Sequence, residues 1–282
     1  MILIDLNQVL ISNLMVQLGS NKTKPDEDII RHMVLNSLRS YAKQFRSKYG
    51  EIVVACDSKK YWRRDVFPFY KAHRKNDREK SGLDWNLIFQ SLNKIREELK
   101  ENFPYKVLEV EGAEADDIIA VLSGRLSAHE EILILSSDKD FVQLQKYPNV
   151  TQYSPILKRF IKTENAAEYV KEHILRGDRG DGIPNFLSPD NTFVVGERQK
   201  VINKKKLCEW IQNKPEDFCT TDLMLRGYKR NQMLVDLDYI PEALKEQIVA
   251  AFDKPKTGNR QKMLNYFIDK RLKNLLDVLD EF

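Results

Sequence analysis

The 282 residues carry 46 Lys and Arg against 42 Asp and Glu, a formal net charge of +4, and 42% are hydrophobic. That size allows one large domain or two unequal ones, and the composition excludes a disordered or low-complexity chain. No apolar run approaches a membrane span, and three cysteines, Cys56, Cys208 and Cys219, are too few and too scattered for a disulfide framework or a zinc site, so reduced cytosolic thiols are expected.

Residues 1–5 read as a short apolar strand ending in Asp5; without a basic n-region they do not read as a signal peptide. Residues 7–18 predict a helix and 21–25 a turn. Asp26 or Asp28 is placed to cap the next helix, whose apolar positions Ile29, Ile30, Met33, Val34, Leu38, Tyr41 and Phe45 follow the 3.6 period, and Gly50 stops it. Residues 52–56 are a second buried strand, and it too runs into an acid, Asp57. Residues 59–80 interrupt the pattern with nine Lys or Arg against three acids, a local +6, interleaved with Tyr61, Trp62, Phe67, Phe69 and Tyr70 and divided by Pro68. Such a segment suits a polyanion; it reads equally as a charged, solvated surface element. Asp84 is placed to cap a helix with Trp85, Ile88, Phe89, Leu92, Ile95 and Leu99 as its buried stripe, and residues 105–110 form another strand.

The acids then concentrate. Glu114, Asp116 and Asp117 open a helix, and the unbroken apolar run 132–135 ends shortly before Asp138 and Asp140. Successive helical residues rotate by about 100°, so Glu114 and Asp116 converge only if Glu114 lies at or before the N-cap in extended backbone. Alone, the three acids serve equally as helix-start residues. Three apolar strands that each end near an acid (Asp5, Asp57, Asp138) add the edge of a parallel sheet where ligands bind, and crowded carboxylates imply a divalent metal.

Downstream, residues 150–153 and 160–162 predict a hairpin, Thr163 a cap, and 164–176 a helix stopped by Gly177. The run Gly177-Asp178-Arg179-Gly180-Asp181-Gly182 is a tight loop carrying two more acids. Residues 185–199 read as a long loop, and helices are expected from Lys204 onward, at 207–212, 221–234, 241–252 and 261–279. The alternation of strands and helices predicts an α/β fold with a mostly parallel central sheet flanked by helices, and a helical C-terminal region.

The motifs Glu114-Ala115-Asp116-Asp117, Ser137-Asp138-Lys139-Asp140 and Gly177-Asp178-Arg179-Gly180-Asp181, in that order, resemble those of the 5′-nucleases, the family of the flap endonucleases and the 5′–3′ exonuclease domains of bacterial DNA polymerases. The stretch from Tyr61-Trp62-Arg63-Arg64 to Tyr70-Lys71-Ala72-His73-Arg74 is similar to the family's helical arch. The resemblance covers most of the chain. It implies a PIN-like nuclease core over residues 1–176, an arch at about 59–80, and a helical DNA-binding region over 177–282. It implies two Mg²⁺ ions, for which Mn²⁺ could substitute: one on Asp5, Asp57, Glu114 and Asp116, the other on Asp138, Asp140, Asp178 and Asp181. Lys71 and Arg74, spaced to share one helix face, would act on the scissile phosphate. Arg63, Arg64, Tyr70, Lys75 and Arg78 would join them in binding nucleic acid.

The implied substrates are DNA and RNA–DNA duplexes with 5′ flaps, nicks or gaps, cut during DNA replication by exonuclease, flap endonuclease and ribonuclease H activity. Implied accessory partners are a single-strand-binding protein and a sliding clamp. The expected location is the cytoplasm, that of a host if the gene is a phage's. Two departures stand out: Gly180-Asp181-Gly182 replaces the family's frequent Ser-Asp-Asn, and residues 185–199 lack its glycine-rich helix–turn–helix half. Two other readings use the same acids: a non-catalytic DNA-structure-binding protein, and a phosphatase with an aspartyl nucleophile, which would want a second acid at Asn7.

Overall fold

The computed structural model describes residues 1–11, 14 and 26–282. Six strands, β1 (Ile2–Asp5), β2 (Ile52–Cys56), β3 (Lys106–Glu109), β4 (Ile132–Leu135), β5 (Val150–Ser154) and β6 (Arg159–Ile161), form one sheet in the order β3-β2-β1-β4-β5-β6. Every pairing is parallel except that of β5 with β6, the predicted hairpin. The apolar runs read as continuous because both faces are covered. Ile2, Ile4, Val54, Leu133 and Leu135 face the helices Glu27–Tyr49, Trp85–Asn102 and Arg260–Asp269. Leu3, Val53, Ala55, Ile132 and Ile134 face Ala115–Leu126 and Glu242–Asp253. Two periods are at work: 2 along each strand, 3.6 along each covering helix.

Most helix ends follow from their caps. Asp26 accepts a hydrogen bond from the Ile29 amide at 2.8 Å, Asp84 from Leu87 at 3.0 Å, and Gly50 ends its helix at φ 81°. Of the expected helix 7–18, residues 6–11 are helical; most of its remainder, and the expected turn at 21–25, lie outside the described residues. Ile29 and Phe89, both assigned to buried stripes, are exposed. The cap after β6 is Asn165 rather than Thr163, with its side chain accepting from the Ala167 and Glu168 amides.

The single helix expected over 261–279 is broken. Arg260–Asp269 ends before Arg271, which sits at φ 54°, and Lys273–Leu276 follows as a separate short helix. The break turns the chain back on itself. Phe282 thereby packs on Phe103 and Phe267, with ring centroids 5.8 and 5.2 Å apart.

Residues 59–80 fold as two helices, Trp62–Val66 and Arg74–Lys80, on either side of Pro68. Phe67 and Tyr70 are buried in a third core with Leu175, Phe186, Tyr228 and Leu234. The segment is therefore tied to the C-terminal helices rather than solvated throughout. Its second helix, Arg74–Lys80, buries none of its own residues.

Candidate metal centre

The sheet winds away from β1 in both directions, through β2 and β3 on one side and β4 and β5 on the other. Ligands of open parallel sheets bind beyond the strand ends at such a reversal. Asp5 is the last residue of β1, Asp57 follows β2, and Asp138 follows β4. Glu114 is the N-cap of Ala115–Leu126, extended at φ −94° and ψ 164°, as its convergence with Asp116 requires. Asp117 turns back one helical turn to accept the Glu114 amide at 2.9 Å.

Asp178 and Asp181 arrive on the loop after the helix Ala166–Arg176. Gly177 is at φ 67°, and a Cβ there would lie 2.3 Å from the Ile183 carbonyl oxygen. Gly182 is at φ 74°, a left-handed conformation that Asn also tolerates. A Cβ there would also lie 3.1 Å from both His73 Nδ1 and the Phe69 carbonyl oxygen, so glycine suits the position on both counts.

Five acids, Asp5, Asp57, Asp116, Asp138 and Asp181, line one cleft of about 540 Å³ together with Lys71, Arg74, Arg78, Trp85 and Phe89. Burial, then the neighbouring Asp57, pushes the Asp5 carboxyl up to about 7. Burial, then Asp138 and Asp5, raises Asp116. Burial raises Asp138, with Asp181 and Asp178 adding to it against a backbone hydrogen bond from Asp140. Burial, then Asp138, lifts Asp140 to about 8. These carboxylates resist ionising together, and a divalent cation among them removes that penalty. The donor set, carboxylate oxygens with one buried oxygen of Asp140 that has no hydrogen-bond partner among the described residues, fits a hard divalent ion.

Several of the expected site residues are held by close partners. Glu114 is 1% exposed, with Lys71 Nζ at 2.6 Å, Arg63 at 2.9 Å and the Tyr70 hydroxyl at 3.1 Å. Burial pushes its carboxyl up, but Lys71 and Arg63 outweigh this and hold it below the usual range. Its charge is balanced in this structure by those two cations. Arg63 is 2% exposed and bridges Glu114 and Asp117, and Tyr70 is buried with its hydroxyl donating to Asp181 at 2.9 Å. Asp178 has both oxygens engaged, by His173 (3.1 Å) and Lys139 (2.9 Å) on one and the Gly180 amide (2.7 Å) on the other.

Lys71 lies in a turn at φ 55°, not on a helix with Arg74. Both side chains nevertheless converge on Asp181, at 3.7 and 2.6 Å. Arg64 and Lys75 are exposed, and Arg78 lies over the Phe89 ring at 5.7 Å.

Other residues were assigned no place in this site by sequence. Asn7 donates to Asp57 at 2.9 Å, so the position where a phosphatase would want a second acid orients the acid after β2 instead. Trp85 and Phe89 turn their rings toward the cleft. His173 sits between Asp140 and Asp178. A helix-to-loop contact of this kind leaves no spacing signal.

A family model described as "5'-3' exonuclease, N-terminal resolvase-like domain" matches residues 1–175, and one described as "T4 RNase H, C terminal" matches residues 166–282. The chain is 36% identical to the ribonuclease H of Enterobacteria phage T4, covering 99% of this chain and 95% of that protein. It is 31% identical to a 5'-3' exonuclease of Buchnera aphidicola subsp. Schizaphis graminum, covering 77% and 76% of the two chains. Its fold is similar to that of the phage T5 5'-exonuclease with bound zinc, at TM-score 0.61 and 17% identity over 99% of both chains. The bacteriophage T5 flap endonuclease, in a pseudo-enzyme–product complex with DNA and metal ions, also matches at TM-score 0.61, with 18% identity over 99% of this chain and 98% of that one. Among the described residues no helix is long and apolar enough to cross a membrane. With the motifs in order, the acids gathered at the sheet's reversal and relatives matched nearly end to end, the chain belongs to the 5′-nuclease family of phosphodiester hydrolases.

Proposed function

We propose that the protein is a Mg²⁺-dependent 5′-to-3′ nuclease that removes RNA primers and 5′ flaps from duplex nucleic acid during DNA replication. The observation that carries this reading is the cleft itself, lined by five carboxylates together with Lys71, Arg74 and Arg78. Two Mg²⁺ ions, with Mn²⁺ as a substitute, would be held by Asp5, Asp57, Asp116, Asp138, Asp140 and Asp181. When bound, such ions neutralise the phosphoryl oxygens and acidify water.

The protein's own groups do the rest. Asn7 and the Ala115 amide fix both oxygens of Asp57. The Gln8 amide holds Asp5 at 3.0 Å. Lys71 and Arg74, drawn onto Asp181, stand where a phosphodiester entering the acids would meet them, and their charge favours the more negative transition state. Arg64 and Lys75, exposed on the basic segment, guide the backbone. Residues 1–176 would form the nuclease core and 177–282 the duplex-binding region. A single-strand-binding protein and a sliding clamp remain proposed partners, and the cytoplasm, a host's if the gene is a phage's, the proposed location.

The test is to give 5′- and 3′-labelled flap and RNA–DNA substrates to the protein with Mg²⁺ and with EDTA. Mg²⁺-dependent release of short 5′ products supports the reading. Products counted from the 3′ end, or no cleavage at all, overturn it.

A further inference from the structure

Asp140, His173 and Asp178 each bring a potential ligand atom within 4.8 Å of the others. His173 is 7% exposed. Its Nε2 lies 3.1 Å from Asp178 Oδ2, and its Nδ1 lies 3.4 Å from Asp140 Oδ1. Among the described residues, neither Nδ1 nor that Asp140 oxygen finds a hydrogen-bond partner. The two contacts have different meanings. Asp178 also receives Lys139 and the Gly180 amide, so it acts as an ionised acceptor, and the proton it takes from the imidazole is the one on Nε2. Nδ1 then offers a lone pair toward a carboxylate oxygen. Both atoms are buried and lie 3.4 Å apart, so one cation shared between them would satisfy both.

We propose that His173 Nδ1 and Asp140 Oδ1 are ligands of one divalent cation, and that Asp178 orients the imidazole instead of binding the metal. The proposal rests on the reading that these acids hold metal, and it deepens that reading at the second site. Metal-bound histidines commonly donate their other ring N–H to a carboxylate, which fixes tautomer and ring direction. The spacing also suits one ion. Ligand atoms each about 2.1 Å from a metal and separated as these two are would subtend roughly 108°, near the tetrahedral angle. An imidazole ligand favours zinc and similar borderline metals over Mg²⁺, which prefers oxygen alone. The site would therefore discriminate between metals, unlike the all-carboxylate group of Asp5, Asp57 and Asp116.

The test is nitrogen NMR of the full-length protein labelled with ¹⁵N-histidine, recorded metal-free and with Zn²⁺, the His173 signals being identified by their loss in His173→Gln. The expected metal-free spectrum has Nε2 protonated and Nδ1 bare, and Zn²⁺ should shift Nδ1 while Nε2 keeps its proton. Calorimetry should show Zn²⁺ affinity at this site falling about 10–100-fold in Asp178→Asn and at least as far in His173→Gln, with Mg²⁺ binding changed little. Zn²⁺ binding that leaves the His173 ring signals unmoved overturns the proposal while leaving the metal reading intact. Equal losses of Zn²⁺ and Mg²⁺ affinity in His173→Gln would make the residue merely structural and also overturn it. A protein that binds neither ion defeats both readings.

Discussion

Arg63→Met tests whether the basic segment spends its charge inward or outward. In the native protein Nε of Arg63 donates to the Leu234 carbonyl at 3.0 Å, and the terminal nitrogens reach Glu114 at 2.9 Å and Asp117 at 2.8 Å. All of these side chains are at most 3% exposed. Methionine fills similar volume but leaves both carboxylates behind. Glu114 keeps Lys71 at 2.6 Å. Asp117 keeps the Trp62 indole N–H at 3.2 Å and the Glu114 amide at 2.9 Å, with no cation paired to it. One buried charge thus loses its counter-ion. Removing one partner of a buried pair costs about 3–5 kcal/mol.

Urea unfolding in EDTA, followed by circular dichroism, should show a loss of that size. Asp117→Asn added to Arg63→Met should recover about 1 kcal/mol or more, because the stranded charge is gone. Arg64→Met, one residue along and exposed, gives up a cation–π contact with Tyr61 at 4.9 Å and should cost no more than about 1 kcal/mol. If Arg63→Met unfolds within 1 kcal/mol of native and instead weakens DNA binding, the assignment of Arg63 as an internal brace is wrong.

Asp5→Asn should stabilise the metal-free protein at pH 8. The Asp5 carboxyl is raised from 3.8 to about 7 in the fold, so the folded state holds a proton the unfolded chain releases, and native stability falls as pH rises across that interval. Melting in EDTA between pH 5 and pH 8 should show a shallower decline for the variant; parallel curves would refute the crowding of acids. Lys71→Met and Arg74→Ala should each lower the single-turnover rate on a flap substrate by about 10²–10³. Lys75→Ala should mainly weaken binding and reduce its salt slope by about one. Equal losses of affinity in all three, with unchanged rates, would reduce Lys71 and Arg74 to electrostatic guides.

The sheet and the strand-end acids were legible because a strand buried on both faces must be apolar, and the run stops where the edge meets solvent. Asp5, Asp57 and Asp138 were found that way, and the extended cap at Glu114 followed from helical rotation once convergence with Asp116 was required. The fate of Glu114 was not legible. Its counter-ions, Arg63 and Lys71, come from 51 and 43 residues away. The summed charge of residues 59–80 also concealed a division. Arg63 points into the protein and Arg64 out, and nothing local distinguishes neighbours whose environment is set by Leu234. Trp85 and Phe89 obey the helical period of their buried stripe, but periodicity does not say which edge of a stripe meets a cleft. The break near Arg271 has no proline or glycine to announce it. It serves the return of Phe282 to Phe103, a contact visible only once the core exists.

The central claim is that the carboxylates at the sheet's reversal hold the metal with which the protein cuts. Asp116→Asn and Asp138→Asn test it most directly, each measured for Mn²⁺ binding by calorimetry and for single-turnover cleavage of one labelled 5′-flap substrate, with folding checked by circular dichroism. The account predicts folded variants that lose metal affinity and cleave at least about 10³-fold more slowly, the upper range for removing one electrostatic stabiliser. Folded variants that bind Mn²⁺ and cleave at near-native rates would contradict it.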